Sequence, residues 1–282
     1  MGNGFSELPL AIFTTLAPMG ACAFIIIYAA LRQLSENEEA VARIDRMTLL
    51  PLLVMLVGFV GAFFHLANPM HAVFAVNGIG RSPLTNEVMV GGLFFVAAFV
   101  YWLTSRAGKL KANVRNGFLI VLSIWAVVFA AFCGFAYTID TIPTWNTPWT
   151  VIQMIGYGLT GGTVLGLLTL CIADIEVPGK IGKAVFAVGL VGAVLAVLGF
   201  GGQIAACASM SNGWGPALDL VPAIGGLFAL LAACCVAAVV VEAMARKKLP
   251  KTAAVLIVFI LVVVGVFFAR IGFYGLYMSV AL

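Results

Sequence analysis

The stretch Thr252-Ala253-Ala254-Val255-Leu256-Ile257-Val258-Phe259-Ile260-Leu261-Val262-Val263-Val264-Gly265-Val266-Phe267-Phe268-Ala269 holds no charge and no proline, and its one polar side chain is a hydroxyl. Extended by a few residues at its end, it is long enough as a helix to cross the roughly 30 Å hydrocarbon core of a bilayer. Runs of this kind recur along the 282 residues, of which 63% are apolar and 9% charged. A soluble globular domain carries about 25% charged residues. A β-barrel would need short segments of alternating polarity, and these runs are continuous. The chain therefore reads as an all-α, polytopic membrane protein: a single integral-membrane domain over 1–282 with eight transmembrane helices. The spans fall at roughly 8–31, 47–66, 87–104, 116–137, 149–173, 182–205, 217–244 and 252–276.

Outward from that last run, the connecting segments differ in charge. Arg246, Lys247, Lys248 and Lys251 precede it; Arg32, Arg43 and Arg46 follow the first span. Arg106, Lys109, Lys111 and Arg115 follow the third span, and Lys180 and Lys183 follow the fifth. Thirteen of the 15 basic residues thus fall on one face, leaving only Arg81 and Arg270 toward the other. Such a face is expected to be cytoplasmic, which puts both termini outside. The first charge is Glu7, with no basic segment before the first apolar run, so that run reads as a retained helix rather than a cleaved signal. The formal myristoylation match at Met1-Gly2 and Ser6 reads as chance in a polytopic chain. No loop is long enough to fold as a soluble catalytic domain. The pI near 8.8 therefore bears on topology and not on nucleic acid. Any reaction has to occur within the membrane or in a docked partner.

The six cysteines have no paired metal-ligand spacing and read as packing residues. Glycines crowd the fifth and sixth spans, as helices that approach closely require. Span centres carry essentially no charge, which disfavours a coupled transporter. The only histidines, His65 and His71, lie six residues apart near one face, so they cannot supply haem ligands from two helices.

His65 closes the second span and Glu87 opens the third, on the same outer side. A neutral imidazole can accept a hydrogen bond and a proton from a quinol hydroxyl, and Glu87 could pass it to water. Phe63, Phe64 and Leu66 would wall a ring and tail. The alternative is an interfacial histidine bonded to a loop carbonyl, with Glu87 as a solvated acid favoured by the helix dipole. Trp145 and Trp149 read equally as interface aromatics, and Arg270 with Tyr274 and Tyr277 as a snorkelling anchor.

At these positions the sequence resembles the membrane anchor subunit of the dimethyl sulfoxide reductase family. The matching stretches are Met1-Gly2-x-Gly4-x-x-Glu7-x-Pro9-Leu10-x-Ile12-Phe13-Thr14, His65-Leu66-x-x-Pro69-Met70-x-Ala72 and Leu84-x-Asn86-Glu87, followed by Thr138-Ile139-Asp140-Thr141-Ile142-Pro143-Thr144-Trp145 and Phe273-Tyr274-Gly275-Leu276-x-Met278. They run in order over nearly the full length. Tyr277 departs from the pattern, since a member of the family carries histidine there. The resemblance implies an anchor in a prokaryotic inner membrane that holds no haem and oxidises menaquinol in anaerobic respiration. Electrons would pass to a ferredoxin-like subunit with four [4Fe–4S] clusters, then to a molybdopterin catalytic subunit, both expected on the outer face. The family's quinol-site histidine and glutamate fall on His65 and Glu87. Asp140, Trp145, Glu7 and Arg270 are secondary candidates for the quinol pocket or partner docking. A secondary transporter and an assembly anchor without redox role are the competing readings.

Overall fold

A computed structural model describes residues 2–65, 78–108, 110–177, 179–248 and 250–280. His71 and Leu66 lie outside the described residues. The helices are α1 (Gly2–Phe5), α2 (Leu8–Gln33), α3 (Glu38–Met47), α4 (Leu49–His65), α5 (Pro83–Arg106), α6 (Ala112–Phe135), α7 (Pro148–Ile172), α8 (Gly179–Cys207), α9 (Ile224–Ala245) and α10 (Thr252–Gly275). A two-stranded hairpin, β1 (Ser211–Asn212) with β2 (Gly215–Pro216), joins α8 to α9. Taking α3 and α4 as one span from Glu38 to His65, 8 helices among the described residues are long and apolar enough to cross a membrane. The expected all-α, eight-span architecture is therefore observed.

Two boundaries differ from the sequence expectation. The second span begins at Glu38, not near 47. Asn37 caps α3, its side chain accepting from Ala40 N at 3.0 Å, and Arg43, Asp45 and Arg46 masked the helix as a loop. One of those charges is buried: the Asp45 carboxylate accepts from the Tyr101 hydroxyl at 2.5 Å and pairs with Arg115 Nε at 3.1 Å. The seventh span begins at Ile224, not 217. Ala217–Leu220 forms a 3₁₀ turn, and Pro222 follows two residues later, where it offers no N–H to continue a helix.

The centre of the bundle is α2 and α7, the two most enclosed spans. Backbone contact sets their positions. A Cβ on Gly156 would strike the Ala196 backbone of α8, and one on Gly162 would lie 2.5 Å from Cys22 Cβ of α2. Small residues on α7 thus let it touch both neighbours along its length, gaining dispersion contacts where lipid offers no hydrophobic drive. All six cysteines are buried free thiols, as their packing role predicts.

The helices alternate in direction. One end of the bundle carries the basic connections. The other gathers the start of α2, the ends of α4 and α10, and the loop joining α6 to α7.

Candidate functional site

At the end opposite the basic connections lies a cavity of about 420 Å³, lined by Ser6, Glu7, Leu10, His65, Tyr137, Trp145, Tyr274 and Tyr277. Its polar pair is placed by the crossing of α2 and α4. Gly58 and Gly61 of α4 lie on the α2 backbone: an added Cβ would be 2.8 Å from Ala17 N and 2.9 Å from the Pro9 carbonyl oxygen. That approach brings His65, the last residue of α4, to Glu7, the N-cap residue of α2. His65 Nδ1 lies 3.4 Å from Glu7 Oε2, with both side chains about one-third exposed (36% and 31%). Glu7 Oε2 is itself buried and accepts no well-formed hydrogen bond among the described residues.

The facing wall is aromatic. Trp145 stacks on Phe273 at 5.2 Å between ring centroids and meets Tyr277 edge-on at 5.4 Å. Hydrogen bonds staple its loop to the end of α10. Trp145 Nε1 donates to the Phe273 carbonyl at 2.9 Å, and Thr144 Oγ1 donates to the Leu276 carbonyl at 2.5 Å. From α8, Gln203 Nε2 donates to the Thr144 carbonyl at 3.0 Å. Gln203 Oε1 in turn accepts from Gln153 Nε2 at 2.6 Å. The polar side chains of α7 and α8 thus hold the loop that carries Trp145.

Behind the wall sits Arg270, fully buried. Its Nε donates to Thr14 Oγ1 at 2.9 Å and its Nη2 to the Tyr274 hydroxyl at 2.8 Å. The guanidinium carbon lies 4.1 Å from the Phe273 ring centroid, 4.6 Å from Tyr274 and 4.9 Å from Tyr137. Three ring faces and two hydroxyls replace the water this cation has lost. The Tyr137 and Tyr274 hydroxyls lie 2.7 Å apart. Burial pushes the Tyr137 phenol well above its ordinary value. Tyr137 therefore stays a protonated donor at the cavity edge.

The sequence candidates separate on this geometry. Glu7, His65 and Trp145 line the cavity, and Arg270 backs it. The snorkelling alternative for Arg270 is excluded by its burial. Glu87 does not line the cavity. It is fully buried on α5, and neither carboxyl oxygen has a hydrogen-bond partner among the described residues. The Cys133 thiol is the polar group set against it, and the Arg270 charge acts on it from within the bundle. This corrects both sequence readings of Glu87: it is neither a solvated helix-start acid nor open to water as an outlet. Phe64 is 73% exposed and packs edge-on against Phe63, away from the cavity. Asp140 is exposed and accepts from Asn146 Nδ2 at 2.9 Å, also outside it. Tyr137 and Thr14 escaped the sequence reading. The four-residue step from Arg270 to Tyr274 along one helix was a usable signal; Thr14 offered none, because its partners lie more than 250 positions away.

Residues 1–276 match the family model described as DMSO reductase anchor subunit (DmsC). Among curated proteins, 177 residues are 34% identical to the C-chain of anaerobic dimethyl sulfoxide reductase from Escherichia coli, covering 62% of each protein. Over 174 residues the identity is 33% to the YnfH chain of anaerobic dimethyl sulfoxide reductase from the same organism, covering 60% of each. The C-chain of the Haemophilus influenzae anaerobic dimethyl sulfoxide reductase is 31% identical over 183 residues, 64% of this protein and 62% of that one. The chain thus spans about three fifths of the length of these relatives.

Proposed function

This chain belongs to the DMSO reductase anchor subunit family, and from that premise we propose that it oxidises menaquinol in the aromatic cavity beside His65. The electrons leave to a docked iron–sulfur subunit of the ferredoxin-like, four-cluster type, and from there reach a molybdopterin catalytic subunit. The setting is a prokaryotic inner membrane with the cavity end outward, in keeping with the basic residues collected at the opposite end.

The observation that carries the reading is the His65–Glu7 pair facing an aromatic wall. Menaquinol supplies two electrons and two protons as it becomes menaquinone. The cavity volume is in the usual range for a small-molecule site. Trp145 and Tyr277 offer ring faces and edges to a planar naphthol head, and Leu10 offers apolar surface to its tail. One hydroxyl donates to the imidazole of His65, which takes the proton. The resulting imidazolium faces the Glu7 carboxylate across 3.4 Å. Both side chains are partly exposed, so this proton leaves to water on the cavity side without crossing the membrane, and the imidazole, neutral again, takes the second quinol proton by the same route. Tyr137, its hydroxyl held by Tyr274 and through it by Arg270, can donate to the oxygen left on the product.

Glu87 has a different part in this scheme from the one its position in the sequence suggested. It lies fully buried inside the bundle on α5, set against the Cys133 thiol of α6. It therefore belongs to the packing behind the wall and is not the outlet.

The test is His65→Gln in the assembled complex, reading reduction of the partner's clusters by a menaquinol analogue in a single turnover. General-base loss slows this step by about 10²–10⁴-fold while assembly stays normal. Wild-type reduction rates with normal assembly would leave an anchor without a redox role as the reading.

A further inference from the structure

Between α8 and α9 the bundle's apolar surface is grooved. The groove encloses about 460 Å³ and is lined by Leu190, Val194 and Leu198 on one side and by Val236, Val239 and Val240 on the other. At the end bearing the basic connections it meets a second concavity of about 520 Å³, lined by Lys183, Arg246 and Lys247 with Val240 and Met244. Val240 lines both, so the apolar slot and the basic mouth are continuous. The Arg246 guanidinium lies 4.8 Å over the Phe186 ring of α8, which holds one of the three cations across the helix pair. No acid is among the described residues lining either concavity. Glu242, the acid nearest in sequence, is fully buried against Gly189 on the packed side of α9.

We propose that this groove binds an anionic phospholipid, with one acyl chain along the α8–α9 slot and the phosphate among Lys183, Arg246 and Lys247. Ordinary snorkelling spreads basic side chains toward water. Here three of them line one concavity at the mouth of a slot with almost no polar surface. A lipid of net negative charge complements both parts, while a zwitterionic one leaves the cations uncompensated. The site lies at the opposite end of the bundle from His65 and stands apart from the quinol reading.

The experiment titrates the full-length chain in dodecyl maltoside with dioleoylphosphatidylglycerol or dioleoylphosphatidylcholine and counts bound lipids by native mass spectrometry. Phosphatidylglycerol is retained at concentrations at least about tenfold lower than phosphatidylcholine. Each cation removed weakens that preference by about fivefold, so Lys183→Gln/Arg246→Gln/Lys247→Gln abolishes it while phosphatidylcholine binding is unchanged. Val194→Trp, which fills the exposed slot, lowers retention of both lipids. Should the triple variant fail to fold, Lys183→Glu alone carries the same reading, because Lys183 is exposed. Equal retention of the two lipids by the wild-type chain, or a preference that survives removal of the cations, overturns the proposal.

Discussion

Arg270 and Tyr274 stand one turn apart on α10, and the guanidinium donates to the phenol oxygen at 2.8 Å with both side chains sealed inside the bundle. The same oxygen lies 2.7 Å from the Tyr137 hydroxyl and 3.3 Å from Thr14 Oγ1. One proton and two lone pairs are all a phenol has, so these three neighbours saturate it. Tyr274→Phe keeps the ring and deletes the shared atom, leaving buried donors without acceptors. The expected cost is about 1–3 kcal/mol, read as a shift in equilibrium unfolding of the detergent-solubilised chain. Quinol-dependent reduction should slow in the same variant, because Tyr137 loses the partner that aims it.

Glu7→Gln separates chemistry from stability. The His65–Glu7 pair is about one-third exposed, and pairs of that kind contribute at most about 1 kcal/mol. Unfolding should therefore shift by less than that, while cluster reduction by menaquinol analogue falls about tenfold or more. Phe64→Ala and Asp140→Asn, both outside the cavity, should leave the apparent KM for quinol unchanged. A raised KM in either would enlarge the site beyond the cavity described.

The Asp45–Arg115–Tyr101 cluster makes the converse prediction. It is buried at the basic end of the bundle, with Asp45 accepting from both partners. Arg115→Met leaves a buried carboxylate short of its cation, and breaking such a pair costs about 3–5 kcal/mol. Tyr101→Phe should cost about 1–3 kcal/mol. In protein that does fold, quinol oxidation at the far end should proceed at wild-type rate. A combined measurement of unfolding and single-turnover reduction checks both halves.

A double-mutant cycle tests the seat of Glu242. A Cβ on Gly189 would run into the Glu242 carboxyl group. Gly189→Ala alone should cost about 1–3 kcal/mol through overpacking. Combined with Glu242→Ala, which vacates the space, it should recover most of that loss, giving a coupling energy of about 1 kcal/mol or more. Additive losses would mean that the two side chains do not share that space.

The eight spans were legible because a bilayer imposes a length and a polarity on every crossing, and uncharged runs such as Ala253–Ala269 meet both locally. The grouping of His65 with Glu7 was only half legible: loop charges put both on one face, but the contact between them depends on how α4 crosses α2. Glu87 misled for a related reason. A carboxylate near a helix start reads as solvated, and only packing of α5 against Cys133 of α6 reveals its burial. Asp45 misled in the opposite direction, because the charges in the second half of α3 read as a loop while their fellow residues were already helical.

The enclosure of α7 bears on how the chain is made. Of the eight spans, Pro148–Ile172 is the least hydropathic and also the most enclosed. Three of its threonines, Thr160, Thr163 and Thr169, bond back to their own helix, while Gln153 needs Gln203 on the next helix. Released by itself into lipid during synthesis, α7 would expose that amide and a bare glycine face. It gains its surroundings only when α8 emerges and α2 closes upon it, so ribosomal translation of the segment after residue 178 governs when the middle of this protein becomes a stable resident of the bilayer.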